Sequence, residues 1–352
     1  MSDDATGIIH LGCYTAGSRG RGRGIVAARW DAATGRLDLG GVVAETPSPS
    51  FLARHPRLPV LYAVNEVAEG TVSAWTVHPD GGLTALGVRS TGGDSPCHLA
   101  VDAGGRFLYV ANYGSGSVAV HPLDAATGAP GERTDLVRHE GSGPVTARQE
   151  GAHAHMVSPD PDGDGLFAVD LGTDTIYRYH RDESGRLHPA GRTAAPAGAG
   201  PRHLARHPDG RRFFVAGELD GSVLAYERDD ADPDGLVALG RVPASHRSGP
   251  VQPSEITVSP DGRFLYVANR GVGTVSVFTL DDVLPRYVAE VPTTATWPRH
   301  IAVLGGYLCV AEEWADAVVV FAIDPVSGVP GPVTARVALP SPTCVLGTRL
   351  DM

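Results

Sequence analysis

Short apolar runs and period-two stretches recur along the whole chain, each bounded by turn residues. Phe107-Leu108-Tyr109-Val110-Ala111-Asn112-Tyr113 and Phe264-Leu265-Tyr266-Val267-Ala268-Asn269-Arg270 are apolar runs of strand length. Alternating stretches follow such runs, among them Thr71-Val72-Ser73-Ala74-Trp75, Thr175-Ile176-Tyr177-Arg178-Tyr179 and Ala317-Val318-Val319-Val320-Phe321. Alternation of β-branched and aromatic residues is strand chemistry. Turns such as Asp124-Ala125-Ala126-Thr127-Gly128 and Asp324-Pro325-Val326-Ser327-Gly328 then open a fourth, outer strand.

One short phrase marks the start of each unit. It reads Pro49-Ser50-Phe51-Leu52-Ala53, Pro96-Cys97-His98-Leu99-Ala100, His153-Ala154-His155-Met156-Val157 and Pro201-Arg202-His203-Leu204-Ala205. Pro253-Ser254-Glu255-Ile256-Thr257, Pro298-Arg299-His300-Ile301-Ala302 and Pro342-Thr343-Cys344-Val345-Leu346 complete the series. The third positions are separated by 47, 57, 48, 52, 45 and 44 residues. Four strands at this spacing make the blade of a propeller. The phrase at Pro342 has no strands after it, whereas the N-terminus offers an apolar run to Tyr14, the strand Ile25 to Trp30 and the turn Asp31 to Gly35. The expectation is an all-β, single-domain seven-bladed β-propeller over residues 1–352, with four-stranded blades and one blade shared by the N- and C-terminal strands. Two tandem sandwiches would not keep this register across the chain.

The blade geometry suggests where chemistry gathers. The first two strands of a blade run antiparallel, so the start of one lies beside the end of the other. The third phrase position falls 15 residues before the end of the second strand in the pairs Phe51/Glu66, His98/Tyr113, His155/Asp170, His203/Glu218 and Glu255/Arg270. The shorter last full blade pairs His300 with Glu312 or Glu313. All are expected to face one mouth of the channel, where imidazole and carboxylate exchange protons and Arg202, Arg270 and Arg299 grip a small anion. The bland alternative is a lining that holds ordered water and satisfies strand ends. Tyr14, Phe51 and Cys344 read as packing or cavity wall. The stretch Gly17 to Gly24, with Arg19, Arg21 and Arg23, lacks a phosphate-loop pattern and reads as a mobile hairpin turn. Asp229 to Asp234 reads as a solvated loop.

Composition narrows the partners. Of 352 residues 42% are apolar and 20% charged, enough for a sizeable core. The net charge of −11 argues against nucleic acid and anionic membranes. All 29 basic residues are arginine, which excludes lysine chemistry. Cys13, Cys97, Cys309 and Cys344 show no metal or disulfide spacing. Met1-Ser2-Asp3-Asp4-Ala5 shows no secretion signal, and no apolar run is long enough to span a bilayer. A cytoplasmic monomer without metal or cofactor, acting on a small anionic substrate such as a carboxylic acid, is expected.

At the candidate site the sequence resembles the lactonase family of seven-bladed propellers, which includes propeller-type 6-phosphogluconolactonases and carboxymuconate-lactonizing enzymes. The matching segments are Arg148-Gln149-Glu150-Gly151-Ala152-His153-Ala154-His155, Asp170-Leu171-Gly172-Thr173-Asp174 and Gly198-Ala199-Gly200-Pro201-Arg202-His203-Leu204. They continue with Glu218-Leu219 and the segment from Ser259 to Arg270, and the resemblance runs from about Gly12 to Gly328. It implies metal-independent chemistry on lactones or their ring-opened acids, with His153 or His155, Arg202, Glu218 and Arg270 catalytic. His98, Tyr113, His203, Glu255, Arg299 and His300 are expected to line the substrate. Two departures stand out. Gly217 replaces an expected Asn, which would loosen Glu218, and Glu312-Glu313 adds negative charge at the mouth. The leading expectation is hydrolysis of a sugar lactone, with 6-phosphogluconolactone the first named substrate and His155 or Glu218 the base. A lactonizing cycloisomerase acting on an unsaturated acid is the alternative, and a non-catalytic binding propeller the second.

Overall fold

In the computed structural model, which describes residues 6–18, 20–161, 163–232 and 234–347, every recurring unit becomes a four-stranded antiparallel sheet, and there are seven. Blade 2 is typical: Leu52–Arg54 lines the channel, then come Val60–Asn65, Thr71–Val77 and the outer Leu83–Ser90. The inner strands of blades 3 to 7 are Pro96–Val101, Ala154–Pro159, Pro201–Arg206, Val251–Val258 and Pro298–Leu304. Blade 1 takes Pro342–Leu346 as its inner strand and Thr6–Cys13, Ile25–Asp31 and Arg36–Ala44 as the others. The join pairs His10 with Leu346, Leu11 with Val345 and Gly12 with Cys344. Only glycine fits at Gly12, because a Cβ there would lie 2.2 Å from the Pro49 carbonyl oxygen.

The core lies between blades, since each sheet buries both faces of its second strand. Ile9, Leu11 and Trp30 of blade 1 pack against Val318 and Val320 of blade 7, and Phe167 of blade 4 meets Phe213 of blade 5 edge-on, with centroids 5.4 Å apart. Outer strands are largely exposed.

Two local features position the site. The inner strands of blades 3 to 7 carry a register break at the phrase: Pro96/His98, Ala154/Met156, Pro201/Leu204, Pro253/Ile256 and Pro298/His300. A bulge re-aims side chains that strict alternation would send to opposite faces, so Arg202 and His203 are both buried on the channel side. The second feature is the 57-residue interval, which the structure spends on the connection 139–153 ahead of blade 4. Its anchor is Gln149, fully buried, whose amide donates to the Leu171 carbonyl (2.8 Å) and accepts from the Val145 amide (3.0 Å). No helix among the described residues is long and apolar enough to cross a membrane.

Candidate active site

The channel carries two tiers. The upper tier, at the mouth, centres on Glu218, which is 2% exposed at the end of the second strand of blade 5. Three arginines from three places surround its carboxylate: Arg202 Nε at 3.0 Å, Arg270 Nη2 at 2.7 Å and Arg148 Nη2 at 2.6 Å. Burial pushes the Glu218 carboxyl up, but Arg270, Arg202 and Arg148 outweigh it and hold it down to about 2. Burial, with Arg270 close by, lowers Arg202 to about 10, against the pull of Glu218. Arg202 also donates to the Ser254 carbonyl, and Arg270 to those of Gln252 (3.2 Å) and Pro253 (3.3 Å). Glu218 is therefore a fixed anion that aligns guanidiniums.

A second arginine cluster completes the mouth across the ring closure. Arg299 donates to the Tyr14 hydroxyl and lies 3.7 Å from Glu66 and from Glu313. The Tyr14 hydroxyl in turn donates to Glu66 at 2.7 Å. Tyr14, expected as wall, is thus part of the charged network. Burial drives its phenol well above the ordinary range despite Arg299.

The lower tier holds the third phrase positions. His203 meets both His98 and His155 edge-on, with ring centroids 5.3 Å and 5.2 Å away, and Phe51 packs on His98 at 4.2 Å. Burial first, then the neighbouring arginines and imidazoles, pushes His98, His155 and His203 well below 6.5. His300, beside Glu255 at 3.5 Å, is lowered to about 4 by burial. Glu255 is pushed upward by burial, against His300 and Arg202. Cys97 Sγ lies 3.6 Å from His155 Nδ1, yet burial raises the thiol, so the pair is a neutral one and no thiolate nucleophile.

Several expected placements change. His203 does not meet Glu218; both oxygens of Glu255 lie 3.0 Å from its Nδ1. The 15-residue rule assumed a regular ladder, and the bulge drops the third position one tier below the strand end. Asp170 turns away from the mouth, bonding His139 Nδ1 (2.7 Å) and accepting from the His153 and Thr173 amides (both 2.9 Å). Glu312 is fully buried and accepts from the amide and hydroxyl of Thr294, so only Glu313 brings its charge to the mouth. Gly217 does not loosen Glu218. Where Asn65 accepts from Ser73 (2.6 Å) in blade 2, Asp220 accepts from Ser222 (2.6 Å), and a Cβ on Gly217 would lie 2.5 Å from Asp220. The stretch Gly17 to Gly24 is packed rather than free: the Gly20 and Gly22 amides bond Thr15 and Tyr14 carbonyls, and Arg21 pairs with Asp316. Arg19 lies outside the described residues.

His153 occupies the rim. It stacks on Tyr113 at 4.5 Å, with Nδ1 2.9 Å from the Tyr113 carbonyl and Nε2 3.2 Å from Glu150. Both nitrogens thus lie beside oxygens that can accept. Arg148, missed as a site residue, also touches the Tyr113 hydroxyl at 3.3 Å. The signal for it was the oversized interval that carries it. Among the described residues no group of three His, Cys, Asp or Glu is arranged to hold a metal ion.

The mouth thus joins a buried carboxylate bound by three guanidiniums to a tier of buried imidazoles, groups that can bind oxygen anions and exchange protons. The chain belongs to the lactonase family of seven-bladed β-propellers, whose model matches residues 8–347. It is 32% identical over 348 residues to a 6-phosphogluconolactonase of Bacillus subtilis, covering 96% of this chain and 97% of that one. The periplasmic gluconolactonase of Pseudomonas aeruginosa superposes with a TM-score of 0.90 at 31% identity, covering 97% and 98%. A Bacteroides fragilis crystal structure does so with a TM-score of 0.90 at 29% identity, covering 98% of each chain. The chain is accordingly an enzyme of the lactonase class.

Proposed function

We propose that this propeller hydrolyses a sugar lactone at the Glu218 mouth using side chains alone, without a metal. The observation that carries the reading is the clamp of Arg148, Arg202 and Arg270 on one carboxylate. Three guanidiniums held in place present their remaining N–H groups to an oxygen that gains charge, the arrangement that stabilises a tetrahedral oxyanion. With its carboxyl held down to about 2, Glu218 has little basicity, which weighs against it as the proton acceptor and against cyclisation schemes that ask it to deliver a proton. His155, neutral because burial and Arg202 disfavour its imidazolium, is the better base.

In the proposed sequence His155 takes a proton from water as its oxygen bonds to the lactone carbonyl carbon. The carbonyl oxygen becomes an oxyanion facing the arginines. On collapse the ring C–O bond breaks, and the leaving alkoxide recovers the proton from His155. The product acid ionises to solvent. Cys13, Cys97 and Cys344 are buried free thiols, which fits a reducing compartment, and a cytoplasmic location is part of this proposal.

The test is hydrolysis of freshly made 6-phosphogluconolactone and glucono-δ-lactone, corrected for the spontaneous rate, in the natural protein and in Arg202→Ala. Turnover above background that collapses in the variant supports the reading. Background rates for both lactones in the natural protein reject it.

A further inference from the structure

On the mouth's blade 6–7 side a tryptophan lies open beside the charged centre. Trp297 and Trp314 stack face to face, 3.7 Å apart and 3° from parallel, and Trp314 is 60% exposed. Trp30 and Trp75 are both buried, so exposure is not the rule for this residue here. The pair is joined to the site, because the Arg270 guanidinium that binds Glu218 lies 5.3 Å from the centre of the Trp297 ring. It is also braced. Trp314 sits in the turn Glu313–Ala315, whose Glu313 amide bonds the Trp297 carbonyl at 3.2 Å. The turn ends at Asp316 in a left-handed conformation, bonded to the Ser341 amide at 2.9 Å. A large flat apolar face held rigid at the edge of a polar site is a ready stacking surface.

Charge at the mouth points the same way. Arg148, Arg202, Arg270 and Arg299 face the three carboxylates Glu218, Glu66 and Glu313. One positive charge is left over, which matches the single negative charge that develops on a lactone oxyanion. Among the described residues that surplus falls short of the two charges of a phosphate dianion on the substrate.

From these two observations, and resting on the lactonase reading, we infer that the preferred substrate is an uncharged aldonolactone bearing a second pyranose ring, which lays its C–H face on Trp314. The lactone ring occupies the arginine centre, and the second ring reaches one ring beyond Arg270 to the tryptophan pair.

The experiment compares maltobiono-δ-lactone, glucono-δ-lactone and 6-phosphogluconolactone in the natural protein, Trp314→Ala and Trp314→Phe. The natural protein is expected to show its highest kcat/KM on maltobiono-δ-lactone. In Trp314→Ala the ratio of kcat/KM for maltobiono-δ-lactone over glucono-δ-lactone should fall about tenfold, mainly through KM, with partial recovery in Trp314→Phe. A preference for the phosphorylated lactone, or an unchanged ratio, overturns the inference while leaving lactonase activity standing. If no lactone is turned over, the lactonase reading fails, and tryptophan fluorescence titrated with maltobionate decides the subsite separately. A saturable change lost in Trp314→Ala supports it, and no change in the natural protein overturns it.

Discussion

Arg148 reaches from the connection between blades 3 and 4 to Glu218 at the end of a blade 5 strand, with Nη2 2.6 Å from Oε1. Its side chain is 38% exposed, whereas that of its partner is 3% exposed. The other two arginines on that carboxylate are buried on strands, so Arg148 is the member that can be removed with least damage to packing. Arg148→Met is expected to lower kcat/KM about 100-fold while shifting the melting temperature by no more than about 2 °C. Steady-state kinetics with a thermal melt checks both halves.

Removing the carboxylate is a different matter. Glu218→Gln leaves Arg202 and Arg270 buried without a counter-charge, and breaking a buried ion pair from one side costs about 3–5 kcal/mol. The variant should lose activity and unfold at a clearly lower denaturant concentration. An unaltered midpoint would show that solvent reaches the arginines.

The pH profile follows from His155. Burial and Arg202 disfavour its charged form, so the free base persists below 6.5, the usual histidine value. Background-corrected kcat/KM should hold its neutral-pH level down to about pH 6, below which an ordinary histidine base would already have lost most of its activity. His155→Gln should remove the activity, and His153→Gln should lower it less, because His153 orients Tyr113 and the loop rather than receiving the proton.

Stability carries the same signature. His10 and His300 are lowered to about 4, His98, His155 and His203 lie well below 6.5, and burial is the first cause for all five. Between those values and 6.5 the unfolded chain binds more protons, so the stability from these groups is complete above 6.5 and is lost as pH falls. Glu255 and His180 work in the opposite sense, since their upward shifts favour the fold as they take a proton, but they are two groups against six once His121, also lowered by burial, is counted. The melting temperature should drop by roughly 5 °C or more between about pH 7.5 and about pH 5, as a thermal melt series would record.

The blade count and ring closure were legible because each depends on local signals repeated at a steady interval: the phrase, the apolar run, the turn. Arg202, Glu218 and Arg270 were legible for the same reason, since they sit at fixed places on strands. What escaped were relations set by backbone irregularity or by distant chain segments. The bulge at Pro201/Leu204 exchanges Glu218 for Glu255 as the partner of His203, and strict alternation hides it. Arg148 arrives on a coil with no periodicity at all. Tyr14 joins Arg299 only through the closed ring, 285 residues apart in sequence. Glu312 and Glu313 looked alike in sequence; strand geometry buries the first against Thr294 and sends the second to the mouth.

The shared blade has a consequence for timing. Tyr14 belongs to the chain's beginning, Glu66 follows the second strand of blade 2, and Arg299 lies on blade 7, with the Tyr14 amide fastened to the Ser341 carbonyl at 2.9 Å. The inner strand Pro342–Leu346 joins the two ends of the ring, so the Tyr14–Glu66–Arg299 part of the mouth comes together only when the circle closes.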